Sequence, residues 1–161
     1  MVVSFSLPWW VSKFSPSTGI WIYGWGLRHN LIQFAGNIAS DVTPHYQSML
    51  AWIYIGCNIT AIGYSSISKN RWGAFLLGST GLGYIVYALV SVYIVIRNRA
   101  GLFGIGLNGP SIPIGSIVSG LVVESAIQSG FYLALATGAL IVLIATIRFG
   151  LDWIKSKQTL S

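Results

Sequence analysis

The stretch Gln128–Phe149, QSGFYLALATGALIVLIATIRF, decides the fold class. It holds no charge before Arg148 and no proline. About 20 apolar residues in a helix cross the hydrocarbon of a bilayer, and this run is long enough to do so. Its small residues return at every fourth position, Gly130, Ala134 and Gly138, and Val142 and Thr146 continue the row. Four residues are slightly more than one helical turn, so the row lies along one face. A smooth face of this kind lets the backbone of a second helix come close, which is how helices associate in lipid.

Ser48–Ile67 (SMLAWIYIGCNITAIGYSSI) reads as a first spanning helix and Trp72–Ile96 (WGAFLLGSTGLGYIVYALVSVYIVI) as a second. The basic turn Ser68-Lys69-Asn70-Arg71 between them is short, so the two run antiparallel. Ala74 and Gly78 form another pair of small residues four apart, with Gly81 and Gly83 extending the smooth surface. GSTGLG within this span lacks the lysine of a phosphate-binding loop, so packing is the expected role of its glycines. Asn58 and Thr60 are the polar residues nearest the middle of the first span, and Asn58 is expected to make an interhelical hydrogen bond. Asn58-Ile59-Thr60 matches a glycosylation sequon that membrane depth would hide.

The remaining segments are different. Residues 1–12 (MVVSFSLPWWVS) are apolar but too short to span. They read as an interfacial segment, with Trp9 and Trp10 as anchors, or as the end of a truncated fourth helix. Residues 13–47 contain Pro16, Pro44, both histidines and the aromatic patch Gly19–Leu27, which suits a strand or an interfacial turn. Leu31–Ala39 suits a short amphipathic helix, and Ser40-Asp41 and Thr43-Pro44 are turn or helix-start signals. Arg97-Asn98-Arg99 is expected to close the second span. Residues 97–127 carry Pro110, Pro113 and the turn signal Leu107-Asn108-Gly109-Pro110, so they read as a second irregular loop or short hairpin. Glu124 is expected to open the last helix, where the helix dipole favours an acid. Residues 150–161 form a polar tail. The expected fold is therefore an all-α integral membrane domain over 1–161. It has three transmembrane helices (48–67, 72–96, 128–149) and two irregular outer segments with room for short strands.

Composition agrees. Only 7% of the 161 residues are charged and 54% are hydrophobic, whereas a soluble domain carries about 25% charged residues. The net charge of +6 arises from a shortage of acids (Asp41, Glu124, Asp152), and the bases are scattered at segment ends. A nucleic-acid surface needs a clustered basic patch, so nucleic acid is not an expected partner. Cys57, the single cysteine, sits in an apolar run as a small buried residue and excludes an intrachain disulfide. Lys69, Arg71, Arg148, Lys155 and Lys157 fall on one side of the membrane, against Lys13, Arg28, Arg97 and Arg99 on the other. This bias of five against four puts the C-terminus on the cytoplasmic side, and the plasma membrane is the expected location.

Residues able to carry chemistry are few. His29 and His45 are the weak candidates for a haem ligand, but their spacing matches no local metal motif and no Cys or Glu lies beside them. Asp41 and Glu124 could share a side, yet capping explains each. The spans hold no deep ionisable residue, the usual mark of an ion or proton path. The sequence therefore predicts no enzyme, no metal and no cofactor. The first expectation is a protein that packs its helices, through Ala74, Gly78, Gly130, Ala134 and Gly138, against itself or another membrane protein. The second is an accessory subunit of a membrane redox or respiratory complex, with haem at His29 or His45. A small oligomeric channel using Asn58, Thr60 and Ser79 is the third.

The order of features resembles small prokaryotic membrane proteins of the claudin/tetraspan-like type. Leu7-Pro8-Trp9-Trp10, Gly24-Trp25-Gly26-Leu27 and Gly130-Phe131-Tyr132-Leu133 fall where such proteins end a first helix, place an aromatic patch in a large outer loop and begin a last helix. The first helix is absent or truncated here, and the pair of loop cysteines is missing. The resemblance implies an architecture and no activity.

Overall fold

The computed structural model describes residues 1–15, 18–29, 45–68, 71–114 and 121–158. The elements, in chain order, are α1 (Val2–Ser6), β1 (Pro8–Lys13), β2 (Gly19–Tyr23), β3 (Gly26–His29), α2 (His45–Ile67), α3 (Arg71–Leu102), β4 (Gly109–Ser111), β5 (Val123–Ile127) and α4 (Ser129–Gln158). Among the described residues three helices are long and apolar enough to cross a bilayer, with candidate spans Ser48–Ile67, Arg71–Leu102 and Ser129–Ile154. The expected Leu31–Ala39 helix, the Ser40-Asp41 and Thr43-Pro44 signals and Lys69-Asn70 lie outside the described residues.

The fold is not all helical. Among the described residues five strands form one antiparallel sheet in the order β3-β2-β1-β5-β4. The sheet joins the two segments read as irregular, so they lie together at one end of the helices. Its centre is β1, which the sequence presented as interfacial or as the end of a spanning helix. Trp9, Trp10, Val11 and Ser12 are all buried, so both faces of this strand are covered. A strand buried on both faces reads as a continuous apolar run, without the alternation that betrays a half-buried strand. Trp9 and Trp10 are therefore core residues, not interfacial anchors.

The aromatic patch Gly19–Leu27 is a hairpin. Tyr23 pairs with Gly26 across the two-residue turn Gly24-Trp25. Gly26 takes φ 150° there, a conformation that side chains disfavour. On the other side of β1, Ser12 pairs with Ser125 and Lys13 with Glu124. Glu124 thus belongs to β5 and does not open the last helix, which begins at Ser129.

α3 runs past Arg97-Asn98-Arg99. It is α-helical over Arg71–Leu89, π-helical over Val90–Ile96 and α-helical again over Arg97–Leu102. Gly104 ends it, at φ 72°. The Ile105 amide donates to Ala100 O and the Gly104 amide to Gly101 O, both at 3.0 Å. This is the Schellman arrangement, with Ile105 and Ala100 supplying its buried apolar contact. α4 likewise continues past Arg148 to Gln158.

Candidate functional site

Two arrangements position the side chains singled out by the sequence: a seam between α3 and α4, and an aromatic junction between sheet and helices. The seam is the most extensive helix contact. A Cβ built on Gly138 would sit 2.9 Å from Gly81 O and 2.5 Å from Ile85 Cγ1. A Cβ on Gly78 would meet Ala145 Cβ at an ordinary 3.5 Å. Ala74 and Ala134 are buried. Gly130 abuts the start of β1, where an added Cβ would lie 2.6 Å from Pro8 O. All five small residues are thus engaged inside a single chain, and Gly81 is the seam partner that sequence spacing could not identify.

At the junction, Phe5, Trp9, Tyr84 and Tyr87 pack edge to face or tilted, with centroids 5.8–6.4 Å apart. The polar atoms of Ser4, Trp9, Tyr84 and Tyr87 are paired, whereas the buried Tyr54 hydroxyl has no hydrogen-bond partner among the described residues. Trp9 Nε1 donates to Ser4 O at 2.7 Å, and the Ser4 and Tyr84 hydroxyls share a hydrogen bond of 2.9 Å. The Tyr87 hydroxyl donates to Gly24 O at 2.7 Å and so ties the β2–β3 hairpin to α3. Below, Tyr54 of α2 stacks on Tyr87 at 4.7 Å. The sheet is thereby fastened to the helices by named hydrogen bonds and by large apolar rings, the groups that contribute most per residue to burial.

Asn58 is buried, but its Nδ2 donates to Tyr54 O, 2.7 Å away in the same helix, rather than to a neighbouring helix. Thr60 is exposed and donates to Gly56 O at 3.0 Å. Ser66, Ser79, Thr137 and Thr146 also return their hydroxyls to carbonyls three or four residues earlier. Outward-facing hydroxyls satisfied by their own helix suit an apolar surrounding. Cys57 is exposed on α2, contrary to the expectation that it is buried.

At the opposite end, Arg148 of α4 donates through both guanidinium nitrogens to Ser65 O and Ser68 O. It caps the last carbonyls of α2, where a cation also complements the helix dipole. Arg148 lies inside the span Ser129–Ile154 rather than at its edge. One carboxylate oxygen of Asp152, a turn later, is buried with no hydrogen-bond partner among the described residues.

His29 closes β3 and His45 opens α2, elements that contact each other. Among the described residues no group of three His, Cys, Asp or Glu side chains could hold a metal ion. Asp41 lies outside the described residues, so its pairing with Glu124 is untouched by the structure. A cavity of about 340 Å³ lies between the β2–β3 hairpin, α2 and α3. Compared with known proteins, the sequence matches no protein-family model and no curated protein.

Proposed function

We propose that the chain is a non-enzymatic, multi-pass integral membrane protein that acts by packing against another membrane protein or a second copy of itself. Its place would be the plasma membrane, with the C-terminus in the cytoplasm. The observation that supports this most directly is the outer face of α2. Gly56, Cys57, Thr60 and Gly63 are exposed there, and a Cβ added at Gly56 or Gly63 would meet nothing within 4 Å. Gly56 and Thr60 repeat the four-residue spacing of small residues, and the seam between α3 and α4 leaves this face unused. Met49, Trp52, Ile53 and Ile59 flank it with exposed apolar surface. The test is the oligomeric mass of the protein in mild detergent, wild type against Gly56→Leu. Loss of the associated mass in the variant supports the reading, and an unchanged mass opposes it.

A second reading is an accessory subunit of a membrane redox complex, with haem at His29 or His45. It is favoured by the contact between β3 and α2, which brings the backbones of the two histidine-bearing elements to one end. A visible spectrum of the protein purified from its own membrane tests it. A Soret band lost in the double variant His29→Ala/His45→Ala supports it, and a featureless spectrum removes the haem.

A further inference from the structure

The cavity between the β2–β3 hairpin, α2 and α3 is walled by Trp9 and Trp25 from the sheet side, Ala51 and Tyr54 from α2, and Val90, Ser91, Val95 and Ile96 of α3. The α3 wall is the π-helical segment. Val90 and Val95, and Ser91 and Ile96, are five residues apart, and all four line the cavity. In an α-helix positions five apart point about 140° away from each other, whereas π-helical i to i+5 bonding stacks them on one side. The π segment is therefore what turns both pairs onto the same wall. The lining is mostly apolar; its polar side chains include Ser91, Tyr87, whose hydroxyl is spent on Gly24 O, and Tyr54, whose buried hydroxyl has no hydrogen-bond partner among the described residues. The cavity is not sealed. Leu50 of α2 and Val90 of α3 line it and are themselves exposed apolar residues, so it opens between these helices onto the apolar surface that would face hydrocarbon.

We propose that this cavity holds one acyl chain of a bilayer phospholipid, entering between α2 and α3 beneath the β2–β3 hairpin. The proposal rests on the membrane reading above. An apolar recess open to lipid is filled by hydrocarbon rather than water, because water there would find too few hydrogen-bond partners. The ring stack of Tyr54 on Tyr87 forms a flat side against which a chain can lie.

The test is photolabelling of the full chain in vesicles of phosphatidylcholine carrying a diazirine on one acyl chain, followed by mapping of the adducts. Expected are adducts on the wall, at Tyr54 and Val95, together with adducts on outward residues such as Leu143 and Ile147. In Ser91→Phe, which fills the cavity, wall adducts fall several-fold while outward adducts remain. Ala51→Val is a milder filler for use if the first variant fails to fold. Adducts confined to outward residues, or wall adducts unchanged by both fillers, overturn the proposal. Absence of adducts at Leu143 and Ile147 as well would overturn the membrane reading itself.

Discussion

Gly81 and Gly138 meet backbone to backbone. A Cβ built on Gly81 would lie 2.8 Å from Gly138 O, and one built on Gly138 would lie 2.9 Å from Gly81 O. Neither carbonyl can give way as a flexible side chain would, so the seam depends on the absence of side chains at both positions. Gly138→Ala and Gly81→Ala are each expected to destabilise the fold by about 1–3 kcal/mol, the usual cost of overpacking. Gly78→Ala is the control. Its added methyl makes ordinary contact with Ala145, and the higher helix propensity of Ala contributes up to about 1 kcal/mol in its favour. Thermal unfolding in one detergent should therefore separate Gly78→Ala from the other two. Equal loss in all three variants would contradict the seam geometry.

Arg148 fastens α4 to the end of α2 through Ser65 O and Ser68 O. Arg148→Met keeps an apolar stem but removes the donors. Hydrogen bonds to charged groups contribute roughly 1.5–3 kcal/mol, so the last turn of α2 should fray. Faster hydrogen exchange confined to the amides around Ser65–Ser68 is the expected result. Unaltered exchange there would show that the cap contributes little.

The hydrogen bond from Tyr87 to Gly24 joins a helix to the sheet. Tyr87→Phe preserves the stack on Tyr54 and removes only the hydroxyl, leaving Gly24 O without that donor. The expected cost is about 1 kcal/mol. Proteolysis or exchange should report it as loosening of the β2–β3 hairpin, with the α3–α4 seam unchanged.

Gly104 ends α3 in a conformation with φ 72°. Gly104→Ala adds a left-handed backbone penalty and a Cβ 2.8 Å from Ile114 Cγ1. Loss of roughly 1–2 kcal/mol is expected, because αL geometry costs a residue with a Cβ about that much. Circular dichroism through thermal unfolding would measure it.

The helices were legible because membrane hydrocarbon demands length and apolarity together, and Gln128–Phe149, Trp72–Ile96 and Ser48–Ile67 meet both demands. The aromatic alternation of Gly19–Leu27 allowed a strand, and a hairpin forms there. β1 was hidden because Trp9 and Trp10 are buried on opposite faces of a central strand, so period-two alternation never appears. The end of α3 was misplaced by giving weight to Arg97 and Arg99, whereas the stop comes from the backbone freedom of Gly104. Glu124 was drawn into a helix because an acid before an apolar run looks like a helix start, and pairing with Lys13 across the sheet is invisible locally. The small residues Gly130, Ala134 and Gly138 were visible as a packing stripe, but a stripe does not name its partner. That partner is Gly81 and its neighbours in the same chain, together with the start of β1.

This internal use of the stripe moves the proposed association surface to Gly56, Thr60 and Gly63 on α2. The most direct measurement is native mass spectrometry of the protein released from its own membrane, comparing wild type, Gly56→Leu and Gly138→Leu. Wild type is expected to carry mass beyond the single 17.4 kDa chain, from another copy or another protein. Gly56→Leu should reduce it to the single chain with its thermal stability intact, whereas Gly138→Leu should lower stability first. A wild-type mass of one chain, or an assembly that survives Gly56→Leu unchanged, would contradict association through α2.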